Sequence, residues 1–586
     1  MNTTASRRRV TRHALVALLL CLSAASVPRA LAQSGGYRIA GKMVNSITGA
    51  PVSRALVTIA DVKDRNDTKS LVTGDDGVFV FTGVPAGKYS LEAARRGYVA
   101  SGYDAHENFS TAIVTGGDAD PEHLIFHLTP QAVISGKIYD EAGDPIRRAS
   151  VFLYRQDQST GVGLIRRTGT AQTDDLGSYE FPELPAGTYF ISVNARPWYA
   201  LHPRSFVTGG GTMTTTNGDG SVTTVQQQQT VTTPTVAHSF DVAYPTTYYP
   251  DATDSDEAVP IPLRGGERLS IDMHLIPVPA LRIVVQNPGG RERGFTVPQI
   301  TKQSFDSTEN IMSMLFERNP DPTQNSHPPF NMLPSGAVEI SGIPAGKYTV
   351  RMSGRPGTGA LGAVADFEIN QDGQELDPAS AAPASSAKLT VTVQGATHPP
   401  EGLLLALRTK EHRVVRRAPV DPQGAAEFID VPPGKYDLLA ATPTNDYAVR
   451  RIVINGNVSK GHSLEFVAGA SIEGTVTVVG GQTVVEGIAK RNGKGVAGAM
   501  IVMVPNNPQE NGELFRRDQS DLDGTFSLGT VIPGEYTIVA IENGWNLNWS
   551  QPGVIGHYVE HGNKIIVPAA AREPVHLSEP VEVQPR

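Results

Sequence analysis

At 586 residues the chain is too long for one hydrophobic core, and division by roughly 150 residues per domain gives about four units as a first expectation. A hydrophobic share of 39% with 59 glycines and 43 prolines suits short strands joined by turns, and the glycines have no triplet period, which excludes collagen. The formal charge of −9 repels phosphate backbones, which argues against nucleic acid and anionic membranes as partners.

Residues 1–32 read as a signal peptide. Arg7, Arg8, Arg9 and Arg12 precede a mostly apolar run from Ala14 to Val27, and Ala30-Leu31-Ala32 has the small-x-small cleavage pattern. The run is shorter than the roughly 20 residues a spanning helix needs, so no membrane-spanning segment is expected after signal removal. "SRRRVT" grazes a twin-arginine signal, but Val10 and Thr11 fit it poorly, which favours the general secretory route. Export to the periplasm, the outer surface or the medium is therefore expected. The single cysteine, Cys21, lies inside this segment behind the bulky Leu20. Lipid anchoring, disulfides and cysteine-bound metals are thereby disfavoured, and loss of the five arginines deepens the charge to −14.

The next element, "DDGVFVFTGVPAGKY" (75–89), returns as "DLGSYEFPELPAGTY" (175–189), "PSGAVEISGIPAGKY" (334–348), "PQGAAEFIDVPPGKY" (422–436) and "LDGTFSLGTVIPGEY" (522–536). From the first glycine (Gly77, Gly177, Gly336, Gly424, Gly524), a second lies ten residues on (Gly87, Gly187, Gly346, Gly434, Gly534), with a tyrosine two later. Apolar residues at alternate positions on both sides of the corner give each unit one buried strand face. The pattern predicts a β-hairpin whose second glycine supplies a positive φ, with proline presetting the turn.

Paired strands precede copies one, two and five: "YRIAGKMVNSITGAPVSRALVTI" (37–59), "AVISGKIYDEAGDPIRRASVFLY" (132–154) and "VVEGIAKRNGKGVAGAMIVMV" (484–504). Copies three and four open more loosely on "LRIVVQ" and "LTVTVQ". Downstream strands are "HLIFHLTP" (123–130), "RLSIDMHLIP" (268–277) and "VHLSEPVEV" (575–583). The expected fold is all-β, a string of about five sandwiches with at most one or two short helices. Their expected bounds are 33–130, 131–278, 279–376, 388–470 and 471–586. "DPASAAPASSA" (377–387) reads as a linker, and the Gly/Thr/Gln tract 208–235 as a disordered loop within the second sandwich. "TENIMSMLFERN" (308–319) is the best helical candidate.

The opening and corner motifs resemble the carboxypeptidase regulatory-like domain, a transthyretin-like β-sandwich also related to starch-binding sandwiches, above all in "GKIYDEAGDPIRRASVFLY…TDDLGSYEFPELPAGTYFISV". The resemblance is good for domains one, two and five and partial for three and four. It implies a module that accompanies peptidases, envelope receptors and surface proteins and carries no catalytic apparatus of its own.

No enzyme signature sits in a fitting context. "HPPE" (398–401) has two prolines between would-be zinc ligands, and "HYVEH" (557–561) spells an inverted zinc-protease motif, but flanking Gly556 and Gly562 oppose the helix it needs. Both read as surface residues. The acidic turns at Asp75, Asp76, Asp174, Asp175, Asp521 and Asp523 offer oxygen ligands for calcium, yet aspartate is equally a turn residue that caps local amides. Glu92 falls one position short of the site where a Lys–Asn isopeptide would need its acid. No catalytic residue, cofactor or metal ligand is assigned.

Binding is expected where aromatics and amides mix, in "RPWYALHP" (196–203) and "NGWNLNWSQP" (543–552), with "AYPTTYYPD" (243–251) as a further aromatic source. Trp198, Tyr199, Trp545 and Trp549 are the candidate ligand residues, by stacking on sugar faces; the competing expectation is that they pack over their own sandwiches. The sequence thus points to an exported, non-catalytic binding or scaffold protein of the envelope or extracellular space, with a polysaccharide or an envelope protein as partner. A purely structural or protein–protein interaction array, or an accessory module to a separate hydrolase or transporter, is the alternative.

Overall fold

A computed structural model describes residues 36–586 except for internal stretches, the longest of which are 287–296, 312–329 and 353–362. The expected signal peptide, 1–32, lies outside the described residues. The chain is all-β, with one α-helix among the described residues, Pro552–Val559. Five hydrophobic clusters follow one another along it, centred on Met43 and Phe126, Ile134 and Ile191, Ile283 and Val350, Leu389 and Phe428, and Met503 and Phe526, and a sixth gathers Met500, Phe515, Trp545 and Trp549.

The first sandwich sets the pattern. Strand Tyr37–Asn45 lies between Val78–Val84, antiparallel, and Leu124–Leu128, parallel. The facing sheet is built on Leu56–Asp61 and Gly87–Ala94. Phe79, Phe81 and Val84 point inward while Val78 and Val80 stay exposed, the period-two alternation of a half-buried strand.

The repeated motif is therefore not a hairpin. Val78–Val84 pairs with one sheet and Gly87–Ala94 with the other, so the corner carries the chain across the core as an arch. The same separation holds for Ser178–Leu184 and Gly187–Asn194; in the fifth sandwich, where the layers join into one nine-stranded sheet, Thr525–Val531 and Gly534–Ile541 still pair with different strands, Thr483–Arg491 and Met500–Pro505. Both sides of the corner bury one face because each lines the same core.

The glycine roles also differ from the expectation. The first glycine holds the left-handed conformation, with φ of 73° at Gly77, 70° at Gly177, 88° at Gly336, 89° at Gly424 and 85° at Gly524. It also presses on the opening strand: a Cβ on Gly77, Gly177, Gly424 or Gly524 would fall 2.5–2.7 Å from a carbonyl oxygen of that strand. Six residues on, every copy has a second positive φ, whatever the residue: Gly83, Glu183, Gly342, Asp430 and Thr530. This bulge turns the strand toward the other sheet. In three copies a cation reaches its carbonyl, Lys69 to Gly83, Arg416 to Asp430 and Arg516 to Thr530.

The second glycine is extended or nearly so, with φ of 158° at Gly346 and 155° at Gly434. The tyrosine two residues later lies against it, its side chain 3.1–3.6 Å from where a Cβ would stand, tight at Gly434 and Gly534 and ordinary contact in the other copies. Each tyrosine hydroxyl donates to the carbonyl four residues back: Tyr89 to Pro85 (3.2 Å), Tyr189 to Pro185 (2.7 Å), Tyr348 to Pro344 (2.8 Å), Tyr436 to Pro432 (3.0 Å) and Tyr536 to Ile532 (2.6 Å). This is a tyrosine corner made five times. The fifth copy explains why proline can move: its acceptor is Ile532 and Pro533 follows it, but the hydroxyl still finds position minus four.

In each sandwich a closing strand runs parallel to the opening one. These closers are Leu124–Leu128, Arg268–Ser270, Gln374–Leu376, Ser471–Gly480 and Val575–His576. Ser471–Gly480 thus closes the fourth sandwich, pairing with Ser385–Val393 and Asp446–Ile454, where the expected boundary near 471 puts it in the fifth.

Other expectations shift too. Ser385–Ala387, at the end of the expected linker, already belongs to strand Ser385–Val393. Within the tract 208–235, expected as a disordered loop, the described residues include two antiparallel ribbons, Phe206–Thr208 with Thr230–Thr232 and Thr212–Thr216 with Val222–Gln226, because threonines and valines favour extended backbone; 209–211, 227–229, 233 and 234 lie outside the described residues. Thr308–Asn310 is part of strand Ser307–Asn310 and not of a helix; residues 312–319 lie outside the described residues.

Two substitutions separate the role of the first glycine from that of the corner tyrosine. Gly524→Ala meets both the positive φ and the Ala489 carbonyl and should cost about 3 kcal/mol; Tyr536→Phe, which removes one buried donor, should cost about 1 kcal/mol. Urea denaturation should rank them in that order, and equal costs would contradict the assignment.

Candidate functional site

Two joints weld neighbouring sandwiches with buried polar groups. In the first, the turn Phe305-Asp306 of the third sandwich enters the second. Phe305 packs against Tyr154, Phe190 and Tyr248 at ring distances of 4.9, 5.0 and 5.5 Å, and Asp306 accepts from the Ile165 amide at 2.7 Å. Beside it Glu309, 3% exposed, accepts from the Tyr154 hydroxyl and from Asn194 Nδ2. Burial, then the charge of Glu309, pushes the Tyr154 phenol far up. Glu339, 2% exposed, accepts from the backbone and hydroxyl of Ser205. Carboxylates buried this deeply persist only when their oxygens are satisfied.

The second joint brings the fifth sandwich back onto the first and second. Its centre is Arg517, whose side chain is 6% exposed. The guanidinium donates twice to Glu107, at 3.2 and 2.6 Å, and once to the Ser159 carbonyl at 3.1 Å. Its carbon stands 4.4 Å from the Trp549 ring centre, 5.2 Å from Phe109 and 5.9 Å from Trp545. His106 stacks on Trp545 at 5.0 Å and 6°. Gln519 Nε2 donates to the Asp104 carbonyl and Thr111 hydroxyl, and Lys88 pairs with Asp521 at 2.6 Å. Close approach is allowed by Gly498, where a Cβ would lie 2.3 Å from Asp104 Oδ2.

Nearby, burial pushes the Asp518 carboxyl up to about 6, partly offset by hydrogen bonds from the Ser527 and Gln519 amides. Burial also raises Asp521, against the pull of Lys88.

This geometry reassigns two candidate residues. Trp545 and Trp549 are each 6% exposed and sit in one cluster with Met500, Phe515 and Ile555. They cannot offer stacking faces, because the short helix Gly544–Asn546 turns Trp545 inward, where Nε1 donates to the Gly498 carbonyl at 3.3 Å. Trp198 is the opposite case at 81% exposure. It stands edge-on to Tyr199, ring centres 5.7 Å apart. Glu141 fixes that pair's base, accepting from the hydroxyls of Tyr199 and Tyr244; burial, then Glu141, pushes Tyr199 up to about 12. Trp198 and Tyr199 are thus brought together at one end of the second sandwich, apart from the Trp545–Trp549 cluster.

The other motifs fall on satisfied or exposed positions. Asp174 Oδ1 accepts from the amides of Leu176 and Ser178, and Asp421 Oδ1 from those of Gln423 and Ala425, the capping role of turn aspartates. Against expectation a helix does form here, Pro552–Val559, with Gly556 inside it, but it splits "HYVEH": it holds His557 and ends before His561, both exposed, while Tyr558 and Val559 pack on the core. His398 and Glu401 are exposed. Among the described residues no group of three metal-ligating side chains comes together, and no helix is long and apolar enough to cross a membrane. Arg517, Glu309 and Glu339 were not signalled by any motif.

No curated protein matches the chain. Among solved structures it is similar to the Bacillus anthracis TIE protein at 12% identity, over 80% of each chain, TM-score 0.16. It is also similar to the minor pilin GBS52 of Streptococcus agalactiae (11% identity, 42% of this chain and 97% of that one, TM-score 0.20) and to the major pilin BcpA of Bacillus cereus (10%, 75% and 99%, 0.14). At such scores these likenesses carry no functional argument. The model of the carboxypeptidase regulatory-like domain matches residues 38–120 and 133–216. The two matches to that family model fall one on the first sandwich and one on the second.

Proposed function

We propose that this protein is an exported, non-catalytic scaffold of the cell envelope or extracellular space, whose sandwiches act as one rigid body and present a binding surface. The observation that supports this reading most is the Arg517 joint. A guanidinium this deeply buried, bonded to a carboxylate and a carbonyl and faced by three aromatic rings, joins residues more than 400 positions apart in sequence. Such a contact converts a string into a closed frame. An accessory role beside a separate hydrolase or transporter would use the same rigidity.

Carbohydrate binding is the finer reading, favoured by Trp198. An indole this exposed, steadied at its base by the Tyr199–Glu141 bond, has the form of a sugar-stacking platform. A non-catalytic module would use it to hold the frame on a polysaccharide.

Arg517→Ala should cost about 3 kcal/mol, since it strands Glu107 and removes the cation from three rings. In calorimetry the variant should show the fifth sandwich melting apart from the rest; an unchanged single transition would sink the closed-frame reading. Trp198→Ala should abolish retention on whichever of cellulose, chitin or starch holds the native chain, and native protein that binds none of these and no other glycan would sink the carbohydrate reading.

The joint should also respond to pH. Asp518 holds its proton more tightly in the folded state than the ordinary value of 3.8, so its protonation stabilises the fold fully below about pH 4 and is lost as pH rises through about 6. The native protein should gain roughly 2 kcal/mol between pH 7.5 and pH 4.5 from this group. Asp518→Asn should flatten that rise in a series of urea titrations, and a rise of the same size in the variant would assign it elsewhere.

A further inference from the structure

We propose that the cleft where the first, second and fifth sandwiches meet binds a short acidic oligosaccharide through Arg155 and Arg167. The cleft encloses about 870 Å³, with His106, Asn108, Arg155, Arg167, Trp545 and Asn546 among its walls, within the range of about 300–1,000 Å³ usual for ligand sites.

Its charge is the first argument. Glu107 on the rim is already held by Arg517, and Asp157 lies 3.6 Å from Arg166. Arg155 and Arg167 have no carboxylate within 4 Å among the described residues, so two positive charges remain in a chain whose net charge is −9. A concave positive site in an acidic protein concentrates anions by focusing the field.

Strand register is the second. Arg155 and Arg166 are directly opposed across the antiparallel pair Ser150–Asp157 and Leu164–Gln172. Like charges in that position destabilise a sheet. Arg155 meets the Ala186 carbonyl with one terminal nitrogen, at 3.2 Å, while its buried Nε has no partner. That nitrogen is covered by protein, so an incoming carboxylate would meet the outer edge of the guanidinium, where it would offset the repulsion between Arg155 and Arg166.

The remaining lining selects the ligand class. Asn108, Gln156, Thr188 and Asn546 offer amides and a hydroxyl suited to sugar hydroxyls. The cleft has no apolar side pockets of the kind that read peptide side chains, since Trp545 is almost covered. A lone inorganic anion would fill only a small part of the space. This site is separate from the Trp198 platform and stands or falls without it.

Calorimetric titration of the full chain with trigalacturonate, cellotriose, triglutamate and sulfate tests the assignment. Trigalacturonate should bind and cellotriose should not. Arg155→Gln and Arg167→Gln should each weaken binding about tenfold, while Trp198→Ala leaves it unchanged. Arg167, exposed over Phe152 at 5.4 Å, serves as the variant that spares the fold if Arg155→Gln lowers the melting temperature. No heat with trigalacturonate, equal affinity for triglutamate or sulfate, or indifference to Arg167→Gln would overturn the proposal.

Discussion

In every sandwich of this chain the backbone leaves one strand's partners at the corner and takes up others across a hydrophobic core, and each crossing breaks the ladder that would otherwise satisfy the peptide groups. A buried carbonyl left without a donor costs about 1–3 kcal/mol, so five crossings demand five donors. The tyrosine corner supplies them. Its hydroxyl caps the carbonyl four residues back while its ring, at most 6% exposed in any copy, fills the core beneath the arch. The tyrosine lies against the glycine two residues earlier, tightly enough at Gly434 and Gly534 that a Cβ there would press on it. The bulge six residues after the first glycine, with its positive φ, then sets the angle at which the strand leaves its sheet.

With that unit fixed, the rest of the molecule is a matter of how sandwiches meet. The chain uses polar groups where a simple tandem array would use short linkers. Glu309 and Glu339 are buried in the third sandwich with donors supplied by the second. Arg517 is buried in the fifth with its acceptor supplied by the first. Such pairs add little net stability over apolar contacts but strongly penalise any arrangement that separates them. They therefore fix relative orientation, which is what a scaffold requires.

The repeat itself was legible in the sequence, because Gly, Gly and Tyr hold fixed spacing through five copies. Its meaning was less so. Alternation reports a buried face but not which strand lies beside which, so an arch and a hairpin look alike until Val78–Val84 and Gly87–Ala94 are seen in different sheets. Positive φ at Glu183, Asp430 and Thr530 carries no residue signature. The tryptophans show the same limit: "RPWY" and "NGWNLNW" look equally suited to ligand, yet Trp198 is exposed and Trp545 buried because a partner sandwich, distant in sequence, covers one and not the other. Glu339 left only a faint trace, a lone acid in the apolar run Val338–Ile343. Contacts between domains decide these cases, and local pattern does not encode them.

The closed frame is the central claim, and a distance across the Arg517 joint tests it most directly. Spin labels on cysteines placed at Asn108 and Asn546, exposed residues on opposite sides of the joint, in a Cys21→Ser background would report that distance by electron–electron resonance. The account predicts one short, narrow distribution that broadens in Arg517→Ala. A broad distribution of long distances in the native chain would contradict it and return the molecule to a flexible string.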